Sequence, residues 1–321
     1  MPLSPGSKAH LLATAEKGKR DWATIDIDQL RAMNEAHELA YDVVAPRLAV
    51  EYRIMIPTPD GGTIGIEIYV PRSSEPDVPM AVMLFLHGGG WVMCSTNSHG
   101  NMCRYLCDKA GVIGINVDYR MAPEHKFPTA VNDAATALDW ACANIASYGG
   151  DPDRIIVAGD SAGGTLATVL AQRSARGEGP PVIAQALFYP SVSMGDHDGF
   201  PSFEMFGSGE FGVSAQGCDW ITGLYLTDPA QRDDIRFSPI KAPALEGSPP
   251  TLLITAEYDP LRDEGEAYAK RLREAGIPVE YHCFAGAIHA FMSMPKLMPD
   301  GYVALDLAAR FLSRQAMAPL A

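Results

Sequence analysis

Short apolar runs recur along the chain from residue 80 onwards, and stretches with helical spacing separate most of them. The runs cover 80–86, 112–117, 155–157, 183–188, 252–255 and 279–284. Apolar strands that alternate with helices are typical of a mostly parallel sheet with helices on both faces. Before them, 50–56 and 63–70 alternate around a Pro-Asp-Gly-Gly turn and predict a hairpin. The pattern therefore predicts an α/β fold with eight strands, the first two forming an antiparallel edge.

Two further segments do not fit the strand-helix alternation. Residues 27–44 place apolar side chains on one stripe and predict an amphipathic helix with Asp26 or Asp28 as its cap. The connection between 188 and 252 is longer than a crossover requires. It carries a predicted helix that starts at Ser214 and a concentration of aromatic residues. These aromatic side chains either pack the insertion onto the body or line a pocket above the sheet, and both can be true at once.

Composition and charge narrow the class of protein. Of 321 residues, 47% are hydrophobic and 20% are charged, which is typical of a globular chain. The net charge of −14 repels phosphate backbones and anionic lipid surfaces, so we expect neither a nucleic-acid nor a membrane partner. The N-terminus has no apolar signal region, and no apolar run reaches the ~18 residues that span a bilayer. We therefore expect a soluble, cytoplasmic protein.

The six cysteines show no paired C-x-x-C spacing. Without an export signal, we expect them to be reduced thiols that fill space. Cys103 and Cys107 lie four residues apart on a predicted helix, and as an alternative they could bind a metal ion. The sequence offers no second pair of cysteines to complete such a site. We predict no metal and no organic cofactor.

The stretch 155–164, IIVAGDSAGG, contains a G-x-S-x-G pattern between a predicted strand and a predicted helix. Small residues on both sides of Ser161 allow a sharp turn that exposes the serine at its tip, where it can act as a nucleophile. The G-x-S-x-G motif alone is weak evidence for a nucleophile, because a glycine-rich turn with a capping serine is common. The rest of the sequence has to decide between the two interpretations.

A second glycine-rich stretch, HGGGW at 87–91, follows the predicted strand 80–86. The backbone amides of Gly88 and Gly89, with that of Ala162, would form a three-donor oxyanion hole, in which losing one donor typically costs ~2.7–4 kcal/mol. The alternative is a flexible loop, but this fold needs its donors after this strand. Trp91 is expected to support the loop. It is also a candidate for the pocket wall, together with residues of the insertion, namely Phe203, Phe206, Phe211 and Trp220.

An activated serine needs a base and an acid that orients the base. Of the eight histidines, His289 lies just past the last predicted strand, at the edge where Ser161 is expected. Asp259 follows the strand 252–255, and the order Ser161, Asp259, His289 is the one that this fold uses. Glu257 is the main rival for the orienting acid. The sequence therefore predicts a Ser-His-Asp triad, with a base that loses function below a pKa near or somewhat above ~6.5.

Five stretches together resemble the bacterial hormone-sensitive-lipase-type esterases of the α/β-hydrolase superfamily. They are HGGGW (87–91), DYRMAPEHKFP (118–128), GDSAGG (159–164), DPLRDEG (259–265) and AIHAF (287–291). The resemblance implies a carboxylic ester hydrolase acting on small, short-chain esters, with Ser161 as nucleophile, His289 as base and Asp259 as orienting acid. It also implies an oxyanion hole made by Gly88, Gly89 and Ala162.

The resemblance further implies an α/β-hydrolase fold with a helical cap. Residues 1–47 and 191–245 would form the cap, and 48–190 with 246–321 the catalytic body. The aspartate before the serine places the chain with the GDSAG branch and implies a homodimer through the last strand. Two other function classes stay open: a ligand-binding relative like the plant gibberellin receptors, which usually lack the histidine, and an amidase, peptidase or acyltransferase with the same triad.

Overall fold

The sheet predicted from the apolar runs is present in the computed structural model, which describes residues 2–16, 21–22, 24–75, 78–194 and 199–320. Residues 1, 17–20, 23 and 195–198 of the predicted cap segments lie outside the described residues. The described strands are β1 Val50–Pro57, β2 Thr63–Val70, β3 Met80–Leu86, β4 Ile113–Asp118, β5 Gly150–Asp160, β6 Ala184–Phe188, β7 Thr251–Tyr258 and β8 Val279–Ile288.

These strands form one sheet in the order β1-β2-β4-β3-β5-β6-β7-β8. The β1–β2 and β2–β4 pairs are antiparallel, and all the other neighbours are parallel. The prediction of eight strands with an antiparallel edge is therefore confirmed. Strands β5, β7 and β8 are longer than predicted because the backbone pairing continues beyond each apolar run.

Helices cover both faces of the sheet. They are α1 Pro5–Ala15, α2 Ile27–Tyr41, α3 Thr96–Ala110, α4 Thr129–Asn144, α5 Ala162–Ala175, α6 Pro201–Phe206, α7 Ala215–Tyr225, α8 Arg262–Glu274 and α9 Asp300–Met317. Alternate residues of β3 point to opposite faces, so Leu84 packs with side chains of α4, α5 and α8, and Phe85 with those of α3 and α9. Among the described helices, none combines the length and apolarity that a bilayer crossing requires.

The N-terminal helix α2 and the insertion helix α7 meet above the loop that follows β3. Leu30 of α2 forms a small apolar cluster with Met93 and Cys94, and Trp220 and Ile221 of α7 pack against it. The ends of the apolar strands nearest to this cluster are the carboxyl ends, where side chains after neighbouring parallel strands come together. The fold therefore brings the glycine loop, the nucleophile turn and both helices to one edge of the sheet.

Candidate active site

Ser161 lies between the last residue of β5 and the first residue of α5, in a strained backbone conformation. Its φ is 51° and its ψ is −118°, and such a conformation in a residue other than glycine costs of order ~1–3 kcal/mol. The surrounding glycines make the turn possible: a Cβ on Gly163 would lie 2.0 Å from the carbonyl oxygen of Leu86. The Ser161 amide donates to the carbonyl of Phe188 at 2.9 Å. Neighbouring backbone thus fixes the turn that presents the hydroxyl.

The structure brings the three predicted triad residues together. His289 Nε2 lies 2.9 Å from Ser161 Oγ, and His289 Nδ1 lies 2.7 Å from Asp259 Oδ2. The Asp259 side chain is buried, and its other oxygen accepts a hydrogen bond from the Leu261 amide at 2.9 Å. Both imidazole nitrogens are therefore within hydrogen-bonding distance of the groups that a serine nucleophile and its base require.

The surroundings of His289 favour its charged form. Burial alone would lower the pKa of His289, but the adjacent Asp259 carboxylate outweighs this effect and raises the pKa above its ordinary value of 6.5. The ring of Tyr189 meets the imidazole edge-on, with 4.9 Å between centroids. Tyr189 has a φ of 36°, so the chain keeps a strained residue against this histidine.

Glu257, the rival acid, lies elsewhere. One of its carboxylate oxygens accepts a hydrogen bond from the Gly286 amide at 2.7 Å, and the side chain is only half-buried. Asp259, in contrast, is 1% exposed and contacts the ring of His289 directly. The geometry thus favours Asp259 as the orienting acid.

The glycine loop differs from the prediction at Gly88. The Gly88 amide donates to Asp160 Oδ1 at 2.8 Å, so it is not free to bind a developing oxyanion. The prediction that Gly88 is one of the three oxyanion-hole donors is therefore corrected. In the part of the chain that the structure describes, no acceptor is recorded for the amides of Gly89, Gly90 and Ala162. Sequence reasoning missed Gly90 because three successive glycines look equivalent until the position of the Asp160 side chain is known.

The aromatic residues predicted for the pocket wall separate into two groups. Trp91 and Phe203 are buried in the main core, and Trp91 stacks on Tyr225 with 4.6 Å between ring centroids. These two side chains are therefore part of the core, since only 1% of Trp91 and 5% of Phe203 is exposed. The other three are half-buried: Phe206 and Phe211 both contact Tyr258, and Trp220 joins the cluster above the glycine loop.

A buried polar group beside the nucleophile turn was not predicted. His99 Nε2 lies 3.3 Å from Asp160 Oδ2, and His99 Nδ1 lies 3.4 Å from Glu38 Oε2. Cys94 Sγ lies 3.5 Å from the other Glu38 oxygen. The ligand atoms of Glu38, Cys94 and His99 are within 4.8 Å of one another. Cys94 Sγ and His99 Nδ1 have hydrogen-bond partners, but among the described residues Glu38 Oε2 has none. No sequence signal links these residues, since Glu38, the pair Cys94 and His99, and Asp160 come from three distant segments.

Comparison with known proteins places this geometry in a family. Residues 83–293 match a protein family whose members have the α/β hydrolase fold. This segment includes the glycine loop and all three triad residues. The chain belongs to the α/β hydrolase family. The predicted resemblance to the hormone-sensitive-lipase-type esterases is thereby confirmed.

Relatives of this α/β hydrolase are similar over most of their length. Ethyl acetate hydrolase of Pseudomonas putida is 38% identical over 262 residues, which is 81% of each chain. Arylesterase of Saccharolobus solfataricus is 32% identical, covering 92% of this chain and 94% of its own. The solved hyperthermophilic esterase of the archaeon Pyrobaculum calidifontis is 34% identical, with a TM-score of 0.91 over 99% of this chain and 100% of its own.

Proposed function

We propose that this α/β hydrolase is a serine carboxylesterase that cleaves small carboxylic esters through Ser161, His289 and Asp259. The single observation that carries the proposal is the unbroken hydrogen-bond chain from Asp259 Oδ2 through both nitrogens of His289 to Ser161 Oγ. The relatives named as ester hydrolases support the reaction class. The arrangement itself supports the assignment of roles to the three residues.

The first half of the reaction forms an acyl-enzyme. His289 accepts the hydroxyl proton on Nε2 while Ser161 Oγ attacks the ester carbonyl carbon, and the carbonyl electron pair moves onto oxygen. The imidazolium formed is stabilised by the Asp259 carboxylate on its other side. When the tetrahedral intermediate collapses, the bond to the alcohol oxygen breaks and His289 returns its proton to that oxygen. Alcohol leaves, and the acyl group stays on Ser161.

The second half repeats the steps with water. His289 takes a proton from a water molecule, the resulting hydroxide attacks the acyl carbon, and Ser161 leaves with the returned proton. The carboxylic acid is released and the enzyme regains its starting state. In both halves, the proposed oxyanion hole consists of the backbone amides of Gly89, Gly90 and Ala162. This set replaces the predicted one, since the Gly88 amide already has an acceptor.

A helical cap would give the site its selectivity. We propose that residues 1–47 and 191–245 form this cap over a body of 48–190 and 246–321, as the sequence predicts. The contact of α2 and α7 through Leu30, Trp220 and Ile221 supports the idea that the two segments act together. A Cβ on Gly90 would lie 2.8 Å from Ile221 Cδ1, so α7 closely approaches the proposed oxyanion hole. This proximity favours small acyl groups.

The test uses p-nitrophenyl esters of increasing acyl length, with Ser161→Ala as the matched variant and a p-nitroanilide alongside. We expect the wild type to prefer short esters and Ser161→Ala to lose at least ~10⁴-fold in kcat while keeping its circular dichroism spectrum. Equal ester rates in both proteins would contradict the proposal. Anilide turnover that equals ester turnover would favour an amidase instead.

Two further predictions from the sequence, a cytoplasmic location and a homodimer through the last strand, are kept as proposals. Strand β8 pairs with β7 along one edge and is the last strand in the order of the sheet. A partner strand would pair along residues 279–284, because the Gly286 carbonyl already accepts from the Ser4 amide at 2.9 Å. Sedimentation of the purified protein, with a proline substitution at an exposed position of β8 as a variant, would test the dimer.

A further inference from the structure

The buried polar side chains beside the nucleophile turn form a path from helix α2 to the glycine loop. It runs from Glu38 on α2 to His99 on α3 across an ion pair of 3.4 Å, from His99 to Asp160 at the end of β5, and from Asp160 to the Gly88 amide. His99 Nδ1 is also hydrogen-bonded to Ser98 Oγ at 2.9 Å, and among the described residues Glu38 Oε2 has no hydrogen-bond partner. The side chains of His99 and Asp160 are 1% and 3% exposed, and that of Glu38 is 13% exposed. The path therefore connects helix α2 with the glycine loop.

Charge balance explains why the three side chains lie together. A buried carboxylate is costly unless it is paired, and here two carboxylates lie on opposite sides of one imidazole. Burial alone would lower the pKa of His99, but Asp160 and Glu38 outweigh it and raise the pKa to about 9. The imidazolium thus lies between the carboxyl groups of Asp160 and Glu38. Burial raises the pKa of Glu38 above its ordinary value of 4.5, and the charge of His99 opposes this rise. Glu38 is the partner from the proposed cap, and Asp160 is the partner from the body.

The other titratable groups around His99 are not expected to change their protonation state between neutral pH and pH 9. Burial lowers the pKa of the nearby His87 to about 4, so that ring is neutral. Burial raises the pKa of Asp42, at the end of α2, to about 6, which leaves it ionised above neutrality. Burial also raises the pKa of the Cys94 thiol well above its ordinary value. His99 is therefore the member of this group expected to lose its charge as the pH rises through 9.

Asp160 transmits the state of this group to the proposed oxyanion hole. One of its oxygens accepts from the Gly88 amide, and the other faces His99. A Cβ on Gly88 would lie 2.4 Å from Asp160 Oδ2, so the carboxylate packs directly on the glycine loop. Asp160 also immediately precedes Ser161. This one carboxylate therefore contacts the glycine loop and directly adjoins the nucleophile turn.

We propose that Glu38 is a positioning residue: through His99 and Asp160 it orients the glycine loop, so that helix α2 sets the geometry of the oxyanion hole. This inference rests on the proposed ester hydrolysis. Loss of the Glu38 carboxylate would leave the imidazole with Asp160 as its one carboxylate partner. The imidazole would then carry its positive charge less often, which weakens its ion pair with Asp160. The glycine loop would then shift relative to Ser161, which affects the transition state more than substrate binding.

The test compares Glu38→Gln with Glu35→Gln in the full chain. Glu35 lies one turn earlier on the same helix and also bonds the start of α3, accepting from Asn97 Nδ2 at 2.6 Å, but it is not part of the path. Removing a hole donor outright costs at least ~10²-fold in kcat, so a displaced loop should cost on the order of tenfold. We expect this loss for Glu38→Gln, with KM changed by less than about twofold, and wild-type values for Glu35→Gln.

The pH dependence separates positioning from simple packing. Wild-type kcat should fall above about pH 9 as His99 loses its proton, and this alkaline limb should move to lower pH in Glu38→Gln because one stabilising carboxylate is gone. Glu35→Gln should keep the wild-type limb. Wild-type kcat and an unchanged alkaline limb in Glu38→Gln would overturn the proposal, and so would an equal loss in both variants.

Urea unfolding gives a readout that does not need activity. A pKa raised in the folded state stabilises the protein fully below the unfolded value of ~6.5, and this contribution is lost as the pH rises through about 9. The wild-type free energy of unfolding should fall over this range, and Glu38→Gln should show the fall at lower pH. If the wild type cleaves no ester, the proposed function fails, yet this measurement still decides whether Glu38 interacts with His99 in the folded protein. Identical pH profiles of unfolding in the wild type and Glu38→Gln would overturn that interaction.

Discussion

Asp259→Asn is the sharpest test of the triad, because an asparagine amide has only one oxygen and cannot accept both hydrogen bonds of Asp259. Asp259 accepts two hydrogen bonds, from the Leu261 amide at 2.9 Å and from His289 Nδ1 at 2.7 Å. If the asparagine oxygen keeps the Leu261 bond, its NH₂ group faces Nδ1 and drives the imidazole proton to Nε2. His289 then points a donor at Ser161 and cannot act as a base. If the amide flips, two donors meet in a buried place.

The size of the effect follows from this geometry. A wrong tautomer costs on the order of 10⁴-fold in kcat, about 5 kcal/mol of barrier. The midpoint of the acidic limb should also fall, since the Asp259 carboxylate is what raises the pKa of His289 above 6.5. Initial rates with p-nitrophenyl butyrate from pH 5 to 9 measure both quantities, with Ser161→Ala as the blank.

Glu257→Gln is the matched control for this experiment. Its carboxylate bonds the Gly286 amide, and we expect the glutamine oxygen to keep that bond, with kcat within about threefold of wild type. The reasoning is refuted if Asp259→Asn stays within tenfold of wild type while Glu257→Gln loses its activity. Glu257 would then be the orienting acid.

Three more outcomes follow from the site. Wild-type kcat/KM should rise with pH through a midpoint above 6.5, because only neutral His289 can accept the proton; a flat profile down to pH 5 would exclude this base. Gly90→Ala should lower kcat by about 10²-fold, because Gly90 has a φ of 65° and a Cβ there would meet Ile221 at 2.8 Å; partial recovery on adding Ile221→Ala would identify the steric part. Arg31→Ala should lower the free energy of unfolding by about 1–3 kcal/mol, because Arg31 bonds the Val92 carbonyl and both oxygens of Glu124 at 2.8 Å; urea midpoints check this, and an unchanged midpoint would contradict it.

The sheet and the triad positions could be predicted because each signal is local. Each strand from β3 to β8 contains an apolar run of its own, and Ser161, Asp259 and His289 each follow such a run closely. Parallel strands deliver their carboxyl ends to one edge, so the sequence order is enough to bring distant residues together. The long insertion was also visible, as a connection that exceeds any ordinary crossover.

Other features depend on contacts that no local pattern carries. Helix α1 buries little beyond Ser7, so it lacks the apolar stripe that would predict it, and only its Ser4 cap and Pro5 mark its start. The role of Gly88 depends on where the Asp160 side chain points. Glu38 looks like any polar residue of an amphipathic helix until His99 is placed beside it. In each case the deciding neighbour is remote in sequence.

The order of these residues along the chain has a consequence during synthesis. Glu38 is made first, Ser161 in the middle, and Asp259 and His289 only in the last quarter of the chain. A growing polypeptide can therefore fold much of its sheet on the ribosome while its serine still lacks a base. Hydrolytic competence arrives late and all at once, when strand β8 adds to the edge of the sheet.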